Sequence, residues 1–239
     1  MHMMFEFIHF FKRKIYPGFK IGKRDLVIDI GSGDKPFWRA NVFFDDLSLD
    51  NGQRITGKET VHNIGLFVNG NILQSPFKNK AFDFSFSSHL LEHVERPDLA
   101  IKEIVRISKR GYLEIPNYLL ECLSPFHSHL WYIVEENNKL YFLRKSKQMH
   151  RISFKNEKYY KYIFKNISNP FIRIYWEKDI KYEVITDIKR GEEFVALKKH
   201  DEKNKKFSID FYLIFVKIMR LIFSVDENAV VDIQKLTKK

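Results

Sequence analysis

Short apolar runs separated by polar turns dominate the first half of the chain. Five of them predict strands, at residues 26–30, 41–44, 64–68, 81–88 and 112–115. Residues 97–108 instead carry apolar positions at helical spacing, with Pro97 suited to the first position and Gly111 placed as the C-terminal stop. Because strands alternate with helical segments, we expect an α/β fold with a Rossmann-like, doubly wound and mostly parallel sheet.

The pattern changes after Pro116. Apolar runs at 130–134 and 139–143 flank a polar turn, which predicts an antiparallel hairpin. Two more strands are expected at 171–175 and 181–185. Two amphipathic helices are expected near the ends of the chain, at residues 3–16 and 207–223.

These changes divide the chain into four parts. We expect an N-terminal helix in residues 1–24, an α/β domain in 25–150, a basic extension of strands and loops in 151–206, and a C-terminal amphipathic helix and tail in 207–239.

Charge and cysteine content bear on the possible partners and on the cellular compartment. The 239 residues carry a formal net charge of +11, concentrated in the second half, so an anionic partner and a lysine-rich compositional bias both stay open. The single cysteine excludes an internal disulfide and suits a reducing compartment. With no secretory signal or membrane span apparent, we expect a cytoplasmic protein, with peripheral membrane contact through residues 1–16 or 207–223 as an alternative.

The first apolar run ends in a Gly-x-Gly turn, which makes it a candidate ligand site. Gly31 and Gly33 allow a tight turn and close approach of a ligand, and Asp29 places a carboxylate at its mouth. Asp45 follows the second run, where an acid can accept two ribose hydroxyls; Asp46 is the neighbouring alternative. Pro36 argues against the dinucleotide fingerprint, whose last position must be small.

Taken together, five places resemble class I S-adenosylmethionine-dependent methyltransferases. They are the first motif at residues 27–33, the ribose-binding acid at Asp45, the adenine position at Asn71-Ile72, the "LPF-x-x-x-x-FD" run at 75–83, and the "HVLEHV…P…E…RV…G" block at 88–111. The resemblance covers residues 25–117, and makes residues 25–150 the expected S-adenosylmethionine-binding domain.

The resemblance implies S-adenosyl-L-methionine as the cofactor. It implies that the glycine turn wraps the methionine part, with Asp29 near the ammonium, Asp45 on the ribose and Asn71 at the adenine. The expected cofactor-binding set is Asp29, Gly31, Ser32, Gly33, Asp45, Asn71, Ile72 and Ser88. Methyl transfer to a small molecule, sugar or lipid-linked glycan is the expected function. RNA methylation through the basic half, and a non-catalytic binding or scaffold protein, are the alternatives.

Histidines supply the candidate base. His89 is expected at the carboxyl end of the fourth strand, where ligands bind, and imidazole suits general base catalysis. His93 is expected to pack structurally, and His127 and His129 to form a far wall of the pocket. His89 to His93 also spells H-x-x-E-H, a zinc peptidase pattern that requires a helix; since His89 directly follows a predicted buried strand, we expect no metal.

Overall fold

The computed structural model describes residues 14–49, 58–123, 126–145, 171–187 and 233–238. The predicted helix at 207–223 lies outside these residues, as does most of the one at 3–16. In chain order the helices and strands are α1 (Tyr16–Phe19), β1 (Val27–Ile30), β2 (Val42–Asp45), β3 (Leu66–Asn69), β4 (Phe82–Ser88), α2 (Pro97–Ile107), β5 (Ser108–Pro116), α3 (Tyr118–Leu123), β6 (Trp131–Glu136), β7 (Lys139–Arg144), β8 (Phe171–Trp176), β9 (Lys181–Ile185) and α4 (Ile233–Leu236).

The main sheet has six strands in the order β3-β2-β1-β4-β5-β8. The first five are parallel, and β8 pairs antiparallel with β5. This is the expected Rossmann-like, mostly parallel α/β sheet. The predicted 151–206 extension thus contributes one strand, β8, to the edge of the main sheet.

The central strands of the main sheet are buried on both faces, which explains why β1 and β2 are nearly continuous apolar runs. Successive β1 residues point to opposite faces, so Val27 joins one apolar cluster while Ile28 and Ile30 join the other. Helix α2 covers the second face with its apolar stripe, namely Ala100, Ile101, Ile104 and Ile107. The alternation therefore determines which face of the sheet each β1 side chain lies on.

The prediction that Gly111 stops helix α2 is wrong. The helix ends at Ile107 and β5 begins at the next residue, so Gly111 lies within the strand, opposite Ser85 of β4. A Cβ atom at Gly111 would lie 2.4 Å from Ser85 Oγ and 2.5 Å from the Ser85 carbonyl oxygen. Glycine is needed there for close packing between strands.

A smaller sheet in the order β6-β7-β9 confirms the predicted hairpin. Strands β6 and β7 are joined by Asn137-Asn138, whose φ angles of 51° and 57° fit a two-residue turn with left-handed central residues. Strand β9 adds parallel to β7. Every helix in the described part of the chain is too short or too polar to cross a membrane.

Candidate functional site

The predicted site residues gather at the carboxyl edge of the main sheet. Ile30, the last residue of β1, is level with Phe44 of β2 and Ser87 of β4. The segments that follow these three strands therefore leave the sheet side by side. This edge is where open α/β sheets bind ligands.

The turn after β1 has the left-handed backbone that its glycines predict. Gly31 has φ 72° and Gly33 has φ 57°. The Gly33 amide donates to Asp45 Oδ2 at 2.7 Å, and the Asp46 amide donates to Asp45 Oδ1 at 2.9 Å. Asp45 thus joins the end of β2 to the glycine turn. A Cβ at Gly31 would come within 3.1 Å of Leu90, so this position is tight as well as left-handed.

Two residues at this turn are buried, namely Asp29 just before it and Ser32 within it. Asp29 is 1 % exposed, and its Oδ2 accepts a 2.6 Å hydrogen bond from the Phe37 amide. Ser32 is 4 % exposed. The Asp29 carboxylate therefore fixes the path of residues 31–37, in addition to any contact with a ligand.

The two predicted adenine residues have clear intramolecular roles. Asn71 Oδ1 accepts from the Leu73 amide at 2.9 Å and caps a short 3₁₀ helix, while its side-chain nitrogen lies 3.3 Å from Asp46 Oδ2. Ile72 is 6 % exposed and belongs to the main apolar cluster. Asn71 thereby links the end of β3 to the end of β2.

His89 follows β4 in a left-handed conformation with φ 58°, which is unusual for a residue other than glycine. Its Nδ1 lies 3.0 Å from Glu92 Oε1, and its Nε2 lies 3.6 Å from Glu114 Oε1. The side chain is 25 % exposed, while both acids are fully buried. Two carboxylates therefore hold the imidazole at the ligand-binding edge.

Sequence reasoning missed the polar network beneath His89. Glu114 accepts hydrogen bonds from Arg173 Nε at 2.7 Å and from the Tyr112 hydroxyl at 3.2 Å, and Ser88 Oγ lies 3.4 Å away. In the sequence, this network is indicated only by Glu114 itself, an acid within the apolar run of β5. Such an acid is rarely buried unless it is paired.

Comparison with known proteins finds a family similar to this region. Residues 29–113 match the family model described as "Methyltransferase domain". Over these residues, the chain is similar to methyltransferase domains. The match begins at Asp29 in β1 and ends in β5, and so includes the glycine turn, Asp45 and His89.

Curated relatives of this domain have been named only in general terms. An uncharacterised methyltransferase of Mycobacterium leprae is 30 % identical over 109 residues, which is 44 % of this chain and 40 % of the relative. One from Mycolicibacterium paratuberculosis is 29 % identical over 108 residues, 43 % of this chain and 42 % of the relative. The chain therefore spans about two fifths of the length of these relatives.

Solved structures resemble a little less than half of the chain. An S-adenosylmethionine-dependent methyltransferase from Thermotoga maritima is 20 % identical, with 47 % of this chain and 57 % of that chain covered and a TM-score of 0.33. One from Methanosarcina mazei is 20 % identical, with 44 % and 59 % covered and a TM-score of 0.34. Both likenesses are partial, and neither bears on what this chain binds.

The two histidines expected to form a far wall of the pocket, His127 and His129, differ in exposure. His129 is 8 % exposed and its Nδ1 lies 2.5 Å from Glu121 Oε2, whereas His127 is on the surface. His93 packs edge-on against His129, with ring centroids 4.6 Å apart. The loop from His89 to His93 is not helical, so the H-x-x-E-H pattern lacks the helix that the peptidase site requires.

A surface cavity of about 450 Å³ lies elsewhere, beside the start of α2 and strand β9. Arg96, Asp98, Trp131 and Tyr182 are among its lining residues, and no predicted site residue lines it. We place the functional site at the sheet edge because the glycine turn and the polar groups capable of binding or chemistry converge there.

Proposed function

We propose that the methyltransferase domain binds S-adenosyl-L-methionine at the carboxyl edge of the main sheet and transfers its methyl group to an acceptor. The match of residues 29–113 to the methyltransferase domain family carries this proposal. It is supported by the hydrogen bond between the Gly33 amide and Asp45, which sets a carboxylate beside a glycine turn.

The residues of this edge suit the cofactor. The Asp45 carboxylate lies beside the glycine turn and offers only acceptor atoms, which suits the hydroxyl donors of a ribose. Gly31 and Gly33 present backbone without Cβ atoms, which lets the methionine part lie against the turn.

The chain's main task in methyl transfer is positioning. S-adenosylmethionine supplies an electrophilic methyl group, whose bond to sulfur breaks as the acceptor atom forms the new bond. The protein has to hold the two reactants in line and at close range, which alone contributes a large part of the rate. The turn, Asp45 and Asn71 would fix the donor side of this geometry.

His89 is the proposed acceptor of the proton released by the acceptor group. It lies at the ligand-binding edge, and its Nδ1 is held by Glu92, which fixes the ring orientation. Such positioned bases contribute about 10²–10⁴-fold to rate when proton transfer accompanies the reaction.

We expect His89→Ala to lower turnover at least about 100-fold while changing the affinity for S-adenosylmethionine less than about threefold. The reason is that His89 would act on the acceptor rather than hold the donor. Single-turnover transfer and donor binding are measured on the same protein. Glu177→Gln, at an exposed position between β8 and β9, is the control and should match the wild type in both. Unchanged turnover on the true acceptor would remove His89 from the mechanism.

For the acceptor we propose a small molecule, a sugar or a lipid-linked glycan. We propose that the protein itself is cytoplasmic and can contact a membrane peripherally. The test incubates the protein and methyl-labelled S-adenosylmethionine with cell extract fractionated into small molecules, glycan, lipid and RNA. We expect label in the small-molecule, glycan or lipid fraction that is absent with boiled protein. Label confined to RNA would favour the RNA alternative, for which the net charge of +11 is the supporting observation.

A further inference from the structure

Three side chains, Glu92, His93 and His129, meet in one cluster, and of these the proposed methyl transfer uses only Glu92, which orients His89. One ligand atom from each lies within 4.8 Å of the other two. Glu92 is fully buried and the His129 side chain is 10 % exposed, whereas His93 is partly buried and gives access from solvent. We call these residues the imidazole cluster.

The carboxylate of Glu92 is the first sign that the imidazole cluster receives a cation. Its Oε1 faces His89 Nδ1 at 3.0 Å. Its Oε2 is buried and has no hydrogen-bond donor among the residues that the structure describes. Leaving a buried charged oxygen unsatisfied is costly, so a bound ion at this atom would be stabilising.

The ring nitrogens of the two histidines are arranged as they are around metals. His129 Nδ1 lies 2.5 Å from Glu121 Oε2, and His93 Nδ1 lies 3.0 Å from Ser128 Oγ. When Nδ1–H donates to such partners, each neutral ring has its lone pair on Nε2. His129 Nε2 lies 4.0 Å from Glu92 Oε1. Metal-bound histidines characteristically donate their other nitrogen to a carboxylate or another polar acceptor.

We propose that Glu92, His93 and His129 bind one Zn²⁺ ion, with Glu121 and Ser128 orienting the two imidazoles. Two imidazoles, one carboxylate and an open fourth position form a common zinc ligand set. Ligand atoms of a tetrahedral zinc site lie about 3.3 Å apart, so the side chains move inward by about 1.5 Å or less on binding. This ligand set differs from that of the H-x-x-E-H pattern. The first histidine of the pattern, His89, is not a ligand, and His129, which lies outside the pattern, is the second imidazole ligand.

A metal at the imidazole cluster would join two separate parts of the chain. The Leu130 amide already donates to the Glu92 carbonyl at 2.7 Å, and Ser128 Oγ lies 3.0 Å from His93 Nδ1. Zinc would add a further link between the loop after β4 and the segment that leads into β6. This inference does not depend on the methyl-transfer proposal.

The test is a Zn²⁺ titration of full-length, chelator-stripped protein against a competing chromophoric chelator. We expect one tight site per chain in the wild type. His93→Gln and His129→Gln should each lower the affinity at least about 100-fold, and Glu121→Gln about 10-fold or more, because it removes only an orienting group. His127→Gln, on the surface beside the same segment, should leave the affinity unchanged.

Two results would overturn the zinc site. One is the absence of a tight site in the wild type; the other is a tight site that survives both His93→Gln and His129→Gln, which would place the metal elsewhere. Circular dichroism and thermal unfolding of each apo variant establish that it is folded. If His129→Gln does not fold, the more exposed His93→Gln decides the question, and bound Co²⁺ in the wild type should give the absorption spectrum of a tetrahedral site.

Discussion

Gly111→Ala should lower the free energy of unfolding by about 3 kcal/mol, because the new methyl group has no room in the sheet. Its Cβ would lie 2.4 Å from Ser85 Oγ, 2.5 Å from the Ser85 carbonyl oxygen and 2.9 Å from Trp176 Cε2. The Ser85 hydroxyl can rotate away, but the carbonyl can move only if β4 and β5 shift apart. These two strands also position His89 and Glu114, so the loss of stability should come with loss of methyl transfer.

Urea unfolding followed by circular dichroism measures this effect. Gly22→Ala is the comparison, since the atoms nearest to its Cβ belong to the Asp25 carboxylate, at 3.0 Å and beyond, and not to a strand backbone. This carboxylate is bound to the Gly22 amide and to Arg110 but has to shift only slightly, so we expect a change of about 1 kcal/mol or less. Equal unfolding free energies for the wild type and Gly111→Ala would show that β4 and β5 are not packed as the structure describes.

Asp45→Ala should weaken binding of S-adenosylmethionine about 100-fold. Hydrogen bonds to a charged group contribute about 1.5–3 kcal/mol each, so the loss of two ribose contacts gives about 3 kcal/mol or more, and the Gly33 amide loses its partner as well. Isothermal titration calorimetry measures the affinity directly. Thermal unfolding of the unliganded variant establishes that the lower affinity does not reflect an unfolded domain.

Asp46→Ala is the matched comparison for Asp45. Its carboxylate accepts hydrogen bonds from Ser48 and Asn71 and makes no contact with the glycine turn. We expect less than about a threefold change in affinity. A larger loss for Asp46→Ala than for Asp45→Ala would exchange the roles of the two acids.

The glycine turn and the positions of the parallel strands could be predicted because their causes are local. An apolar run that breaks into Gly-x-Gly requires backbone that only glycine adopts easily, and Gly31 and Gly33 have it. The hairpin at Asn137-Asn138 was predictable for the same reason, since asparagine tolerates the left-handed turn.

The parts that could not be predicted depend on contacts between distant residues. Glu114 and Arg173 form an ion pair, although they are 59 residues apart in sequence. The sequence around either residue gives no indication of the other. Gly111 was misassigned because glycine after a helix usually ends it; the position requires glycine instead because Ser85 and Trp176 lie against it. His129 reaches Glu92 only through the fold of the intervening strand and helices.

The most direct test of the central claim is a calorimetric titration of the wild-type chain with S-adenosylmethionine and, separately, with S-adenosylhomocysteine. We expect one site per chain for each ligand, with micromolar affinity that falls about 100-fold in Asp45→Ala. No binding of either ligand at millimolar concentration, by protein that is folded by circular dichroism, would contradict the assignment of the Gly31–Gly33 turn and Asp45 as a methyl-donor site.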